Sequence, residues 1–344
     1  MPFYASAEEA PIRIGVIQSL TGMAAQDGNS ILQGIKLAVE DEDIHLKVED
    51  DASEAKNTVT AFRKLKHSGV DLIIAGTWSL FAHPVKQFAE REKTVVVTTS
   101  NFPEMFGVGP AQDAYFYSAT SSVAGERKPF EELYEKKKPK NVFLMYVETP
   151  WGQTLQKSFS DFLIKKGVSI ESEGVEIVGN DEIWGTLVPK IRSKEPDLIL
   201  LLLDHRAIGL FLKSAQQIKY TPTVFASTHL YQSFLDSNNK SMYEGVCFTY
   251  PYKNLNTENE FSTRFKKTYN SRPRLYSDSS YFATRMLVKA VRDARKLHQP
   301  LNHFLSTASM QFGDTSLKYS PKQSLSGGEN SLLCVSGGEI MLQD

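Results

Sequence analysis

The sequence predicts an α/β protein of two lobes, each a parallel sheet flanked by helices. Three observations predict it. The chain has 344 residues of which 41% are hydrophobic, enough for roughly two domains of about 150 residues. Short apolar runs alternate with segments of helical period along its first half, the pattern of parallel strands joined by right-handed crossovers. That alternation then starts afresh at Val142.

In the first unit, strand runs at 12–17, 46–48, 72–75 and 95–97 are separated by helical patterns near 31–40, 55–67 and 84–90. The second unit reads as strand 142–147, helix 152–166, strand 175–178, helix 184–193, strand 197–203, helix 207–218 and strand 224–226. A further strand at 246–250 is followed by two long helical patterns, 258–269 and 281–297, and Phe282, Met286 and Ala290 give the second a continuous apolar face. From Gly313 onward Ser, Gly and Lys dominate. The short strand candidates there, 332–335 and 340–342, read as edge strands and not as a third domain.

Lys plus Arg number 39 and Asp plus Glu 40, so no net field would hold a polyphosphate or an anionic membrane against salt. The local run Lys136-Lys137-Lys138-Pro139-Lys140 reads as a solvated helix terminus, where cations complement the dipole. The longest apolar run, 198–203, is strand length, far short of the roughly 20 residues of a membrane span; a soluble protein is expected. Ala5-Ser6-Ala7 before Glu8-Glu9-Ala10-Pro11 matches the small-residue cleavage pattern of a secretory signal, so residues 1–11 read as the remnant of a leader, with chance the alternative. Cys247 and Cys334 are the only cysteines, each in an apolar run of strand type. They read as buried free thiols, with pairing between them left open; two cysteines make neither a disulfide framework nor a four-ligand zinc site.

In open parallel sheets ligands bind beyond the carboxyl ends of the strands, which directs attention to the loops. Gly76-Thr77-Trp78-Ser79 follows the third strand and Thr98-Thr99-Ser100-Asn101-Phe102-Pro103 the fourth. Hydroxyls with unpaired backbone N–H groups make a seat for a carboxylate, although Ser and Thr at such places also simply cap helices. The second unit offers Thr149-Pro150-Trp151-Gly152, Asp204-His205-Arg206 and Ser227-Thr228-His229. Trp151 either lies flat on a ligand or belongs to the core, and Asp204 either caps the next helix or faces a cationic group. Enzyme signatures are absent: there is no G-x-x-x-x-G-K-[ST], G-x-S-x-G, H-E-x-x-H, or G-x-G-x-x-G after a strand. Seven histidines show no metal spacing within a helix turn, so no metal, cofactor or catalytic residue is expected.

Read in order, these loops resemble those of the type I periplasmic binding proteins that serve branched-chain amino acid ABC transporters. Ile14-Gly15-Val16 through Ser19-Leu20-Thr21-Gly22 resembles the family's first strand and turn, Gln33-Gly34-Ile35-Lys36-Leu37-Ala38 its first helix, and Glu49-Asp50-Asp51-Ala52 the end of its second strand. Asn101 to Glu104, Trp151-Gly152 and Tyr276 to Tyr281 resemble later motifs, and the match spans roughly 12–300. The resemblance implies one lobe of 12–118 plus 252–325, a second of 119–251 plus 326–344, and a three-crossing hinge near 118, 250 and 325. It implies a monomeric periplasmic protein that closes on a small polar, amino-acid-like ligand and passes it to an ABC permease. The implied ligand-binding residues are Trp78, Ser79, Ser100 and Asn101 on one side, and Trp151, Asp204, Thr228 and Tyr276 with Asp27 around them. Thr228 stands where the family places the acid that holds the ligand's ammonium, and Asp27 where an aromatic lines the side-chain pocket. Asp204, the leading candidate, or Asp27 must then supply the missing anion, or the ligand is not a cation at that end. A ligand-sensing regulator or receptor domain shares this fold and is the rival reading, with an α/β enzyme behind it.

Overall fold

The computed structural model describes residues 10–106, 114–120, 122–176, 181–251, 259–307, 309–312, 315–318 and 330–343. The hinge position near 325, the start of the second hinge-side segment at 252, most of the leader and the end of the strand expected at 175–178 lie outside them.

The first sheet contains β1 (Ile12–Gln18), β2 (Ile44–Asp50), β3 (Leu72–Ala75), β4 (Val96–Thr98) and β5 (Phe116–Ser118), all parallel in the order β2-β1-β3-β4-β5. Alternation along β1 divides the core. Ile12, Ile14 and Val16 face one side, against α1 (Ala25–Ala38), α9 (Glu260–Tyr269), α10 (Ser277–Lys296) and α11 (Leu301–Thr307). Ile17 faces the other, against α2 (Ala55–His67) and α3 (Ser79–Glu92). Residues one apart in a strand point to opposite faces, so a sheet covered on both sides needs a nearly continuous apolar run.

The second sheet runs β14-β13-β10-β9-β8-β6-β7. Its parallel part is β6 (Asn141–Val147), β7 (Ser169–Val175), β8 (Leu198–Leu202), β9 (Val224–Ala226) and β10 (Cys247–Tyr250), with β13 (Ser331–Ser336) and β14 (Glu339–Leu342) added antiparallel at one edge. In β8, Ile199 and Leu201 pack on α6 (Trp184–Arg192), α7 (His205–Gln217) and α8 (His229–Asp236). Leu198, Leu200 and Leu202 pack on α4 (Val123–Lys137) and α5 (Pro150–Lys165). A separate hairpin joins β11 (Ser309–Phe312) to β12 (Thr315–Lys318).

The reading of Cys247 and Cys334 as free thiols is corrected. Antiparallel pairing of β10 with β13 sets the two directly opposite each other, and they form a disulfide across 87 residues of sequence. The strand expected at 175–178 is β7, six residues earlier. As an edge strand β7 is largely exposed and carries Glu171, Ser172 and Glu173, so it lacks the apolar run that marks the buried strands.

The acidic end of β2 holds the loop that follows β1. Asp50 accepts from the Leu20 N–H at 2.8 Å and the Thr21 hydroxyl at 2.7 Å, and Asp51 from the Ser19 hydroxyl at 2.7 Å and the Thr58 hydroxyl at 3.1 Å. Two motifs far apart in sequence thus form one tie that fixes where α1 begins.

Candidate functional site

A pocket lies between the carboxyl ends of the two sheets, enclosing about 400 Å³ including its open mouth. Every strand that borders it ends there. Thr77, Trp78, Ser79 and Leu80 follow β3, and Ser100 and Asn101 follow β4. From the second sheet, Val147 ends β6, Thr149 and Trp151 begin α5, Asp204 follows β8, and His229 begins α8. Tyr276, just before α10, completes the wall.

The first-sheet side is a rigid cradle around one turn. Gly76 has φ +88°, and a Cβ there would lie 2.5 Å from the Ala82 Cβ, so both its conformation and its space demand glycine. The Gly76 carbonyl accepts from the Ser100 hydroxyl at 3.0 Å and from Asn101 Nδ2 at 2.8 Å. Ser100 also reaches the Thr77 carbonyl at 2.8 Å, and Asn101 Nδ2 the Thr98 hydroxyl at 2.7 Å. These two predicted site residues therefore border the pocket with donors already engaged by the protein; their side chains shape the turn.

That turn aims the start of α3 into the cavity. The N–H groups of Phe81 and Ala82 bond to the Trp78 carbonyl, which leaves those of Ser79 and Leu80 without an acceptor among the described residues. The Ser79 hydroxyl, 3% exposed as a residue, has no protein partner there either. Unpaired donors at a helix N-terminus favour an anion.

The second-sheet side is aromatic with one carboxylate. Trp151 stacks on Phe102 at 6.2 Å and meets His229 edge-on at 4.7 Å. Asp204 caps α7 with Oδ1, which accepts from the N–H groups of Arg206 and Ala207 at 2.9 and 3.0 Å. Its Oδ2 has no hydrogen bond among the described residues, so capping and facing the pocket are compatible roles. Tyr276 is held in the left-handed region, φ 68°, and its Oη lies 3.0 Å from His229 Nε2. Burial, reinforced by the neighbouring His205, pushes the His229 pKa down to about 3, so the ring is neutral.

Two predicted residues do not line the pocket. Asp27 sits behind it, 2% exposed, and accepts from Trp78 Nε1 at 2.8 Å. Burial raises its pKa, with His205 and the Trp78 hydrogen bond acting the other way. Thr228 turns away toward buried Glu126, whose Oε1 accepts its N–H at 3.0 Å. Conversely, Thr77, Leu80, Val147, Thr149 and His229 line the pocket without having been singled out. Thr77, Thr149 and His229 stand in the very loops that end the strands, and that position was the available signal.

A donor-rich helix end facing aromatic walls and one free carboxylate oxygen, in a cleft between two doubly wound sheets, defines a two-lobed solute-binding protein. The chain belongs to the periplasmic binding protein family, whose model matches residues 11–302. That family consists of binding proteins and not of enzymes. It is 25% identical over 217 residues to Leu/Ile/Val-binding protein homolog 3 of Brucella melitensis, covering 60% of this chain and 58% of that protein. With Leu/Ile/Val-binding protein BraC3 of Rhizobium johnstonii it shares 24% over 237 residues, or 66% of this chain and 64% of the other. The matched segments thus span about three fifths of these relatives. Among solved structures, the leucine-binding protein LivK of Thermotoga maritima superposes with a TM-score of 0.78 at 18% identity, covering 97% of this chain and 98% of the other. LivJ of Streptococcus pneumoniae in complex with isoleucine gives 0.80 at 15%, covering 96% and 97%. Among the described residues no helix is long and apolar enough to cross a membrane.

Proposed function

We propose that this chain is the solute-binding component of an ABC importer, closing its two lobes on an amino-acid-like ligand and delivering it to a membrane permease. The carrying observation is the polarity of the pocket: unpaired N–H groups at the start of α3 on one side and the free Oδ2 of Asp204 on the other. A zwitterion matches both ends. Its carboxylate would take the N–H groups of Ser79 and Leu80 with the Ser79 hydroxyl, and its ammonium the Asp204 oxygen, between the rings of Trp78, Trp151 and Tyr276. Buried charge without a partner costs several kcal/mol, so Asp204 is the residue this reading depends on, with Asp27 as a second carboxylate nearby.

The relatives named for leucine, isoleucine and valine binding support an amino acid. The Cys247–Cys334 disulfide supports an oxidising, extracytoplasmic location. The lobes in this reading are 12–118 with 252–325 and 119–251 with 326–344, working as a monomer.

A thermal-shift screen of amino acids, amides, ureas and small carboxylates identifies the ligand, and calorimetry tests the seat. Asp204→Asn should weaken the best amino acid by at least about tenfold, which is about 1.4 kcal/mol, and leave its deaminated analogue unaffected. Tighter binding of the deaminated acid by the wild-type protein would overturn the ammonium seat.

A further inference from the structure

We propose that Asp27 couples closure of the two lobes to the uptake of one proton, shared between its carboxyl and the ring of His205, so that ligand is bound more tightly at lower pH. This rests on the two-lobed binding reading above and adds a condition on closure. Asp27 stands in the first turn of α1, on the first sheet's body, and is 2% exposed. Its Oδ2 accepts the Trp78 indole N–H at 2.8 Å, the one hydrogen bond to its carboxyl among the described residues.

The second sheet's body closes over it. The charged side chains that act on Asp27 all come from that body: His205 at the start of α7, Asp204 just before it, and Asp236 on α8. Its chain neighbour Gln26 spans the same gap, donating to Asp236 at 2.7 Å. Parting the bodies at the pocket therefore returns Asp27 to water and takes His205 away from it. Trp78, which lines the pocket, stays with Asp27 because both belong to the first sheet's body.

The surrounding charges leave the closed form with one carboxylate too many. Asp236 is paired with Arg274, and Asp204 takes the ligand's ammonium in the reading above. His229 is neutral, and the Tyr276 phenol is pushed up by burial and then by Asp27, so neither supplies a positive charge. Of the side chains that act on Asp27, His205 is the one that can carry it. An ionised carboxylate buried without a countercharge costs several kcal/mol. Burial pushes the Asp27 carboxyl up, with His205 the largest influence in the other direction. The closed form thus holds a proton in one of two ways, on His205 beside an ionised Asp27 or on Asp27 beside a neutral ring. Both ways carry the same number of protons. In water above about pH 7, carboxyls and imidazoles have both lost theirs. Closure there takes a proton up, and by linkage the affinity falls as pH rises. Below about pH 6 an imidazole in the open form already carries the proton, and the dependence fades.

The test is calorimetry on the full chain with the tightest-binding of the twenty common amino acids, at about pH 7.5 in HEPES, imidazole and Tris buffers, whose ionisation enthalpies differ. The slope of measured heat against buffer enthalpy counts the protons taken up. Wild type should take up about half to one proton per ligand, and its affinity should fall about three- to tenfold per pH unit between about 7 and 8.5. Asp27→Asn keeps an oxygen for the Trp78 N–H; it should take up none, and its affinity should no longer fall with pH. A carboxylate that only attracted the ligand's ammonium would instead change the affinity equally across this range. His205→Gln should take up less than wild type at about pH 7.5 and more at about pH 5.5, because the proton must then sit on a carboxylate. No uptake by wild type, or uptake at about pH 7.5 left unchanged by either substitution, overturns the inference and leaves the amino acid reading standing. Binding of none of the twenty overturns both. Should Asp27→Asn not fold by circular dichroism, the wild-type proton count together with His205→Gln decides.

Discussion

Glu126, on α4, is 1% exposed, and its carboxyl ties together elements that are far apart in sequence. Oε1 accepts the Thr228 N–H at 3.0 Å, and Oε2 accepts from Asn330 Nδ2 at 3.0 Å, which also reaches the Thr249 hydroxyl at 3.0 Å. Burial outweighs these hydrogen bonds and raises its pKa from 4.5 to about 7. The folded protein therefore holds this proton more tightly than the unfolded chain does. Its contribution to stability is full below pH 4.5, falls as pH rises, and is lost above about 7. At about 1.36 kcal/mol per pH unit the loss is on the order of 3 kcal/mol. Glu126→Gln keeps an acceptor for the Thr228 N–H and carries no charge at any pH. In urea titrations its stability relative to wild type should improve by up to about that amount between pH 4.5 and 8; a difference that stays constant over this range would show that Glu126 does not titrate as described. Nothing in the sequence points to Glu126, because α4 presents it to the β9–α8 turn only once both have docked. The same docking explains Thr228: its loop was readable as lying at a strand end, but not which way its backbone faces.

Helices and buried strands were legible where their apolar period is strong. The patterns at 55–67 and 184–193 coincide with α2 and α6 to within a residue. The three-residue β5, short α8 and seven-residue α11 offer too few residues for a period, and exposed β7 reads as surface. The disulfide was illegible for a different reason: that β13 runs antiparallel to β10 is a property of the sheet and not of either segment. Close helix contact leaves a trace in sequence only as a glycine. On α1 a Cβ added to Gly34 would lie 2.1 Å from the Ser277 carbonyl oxygen at the start of α10, and backbone cannot yield as a flexible side chain can. Gly34→Ala must push the two helices apart in a close-packed interior, an overpacking that costs about 1–3 kcal/mol. Chemical denaturation should show that loss, and wild-type stability in the variant would mean that the two helices have room to spare.

At the scale of the molecule, the residues between α9 and α10 hold the two sheets' bodies together beside the pocket. Leu275 is 2% exposed within the second sheet's core; its N–H reaches Gln232 on α8 at 3.1 Å, and its carbonyl accepts from Ser30 on α1 at 2.6 Å. Pro273 accepts from the Tyr231 hydroxyl at 2.9 Å, and Arg274 pairs with Asp236. Outside this strap, Gln26 on α1 donates to Asp236 on α8 at 2.7 Å. Parting α1 from α8 would break both connections, at very different cost. The exposed Gln26–Asp236 hydrogen bond competes with water and contributes less than the roughly 1.5–3 kcal/mol of a hydrogen bond to a charged group, whereas removing a buried leucine side chain costs about 2–5 kcal/mol. The bodies should therefore rock about the strap, with any opening for ligand occurring away from it. Small-angle scattering of the ligand-free protein distinguishes the two contacts. Leu275→Ala keeps the backbone hydrogen bonds but empties the anchor, and should raise the radius of gyration above that of wild type. Gln26→Ala should leave it unchanged and shift ligand affinity by less than about tenfold. The reverse pattern, expansion with Gln26→Ala and none with Leu275→Ala, would place the restraint at the rim of the cleft instead of in the buried strap.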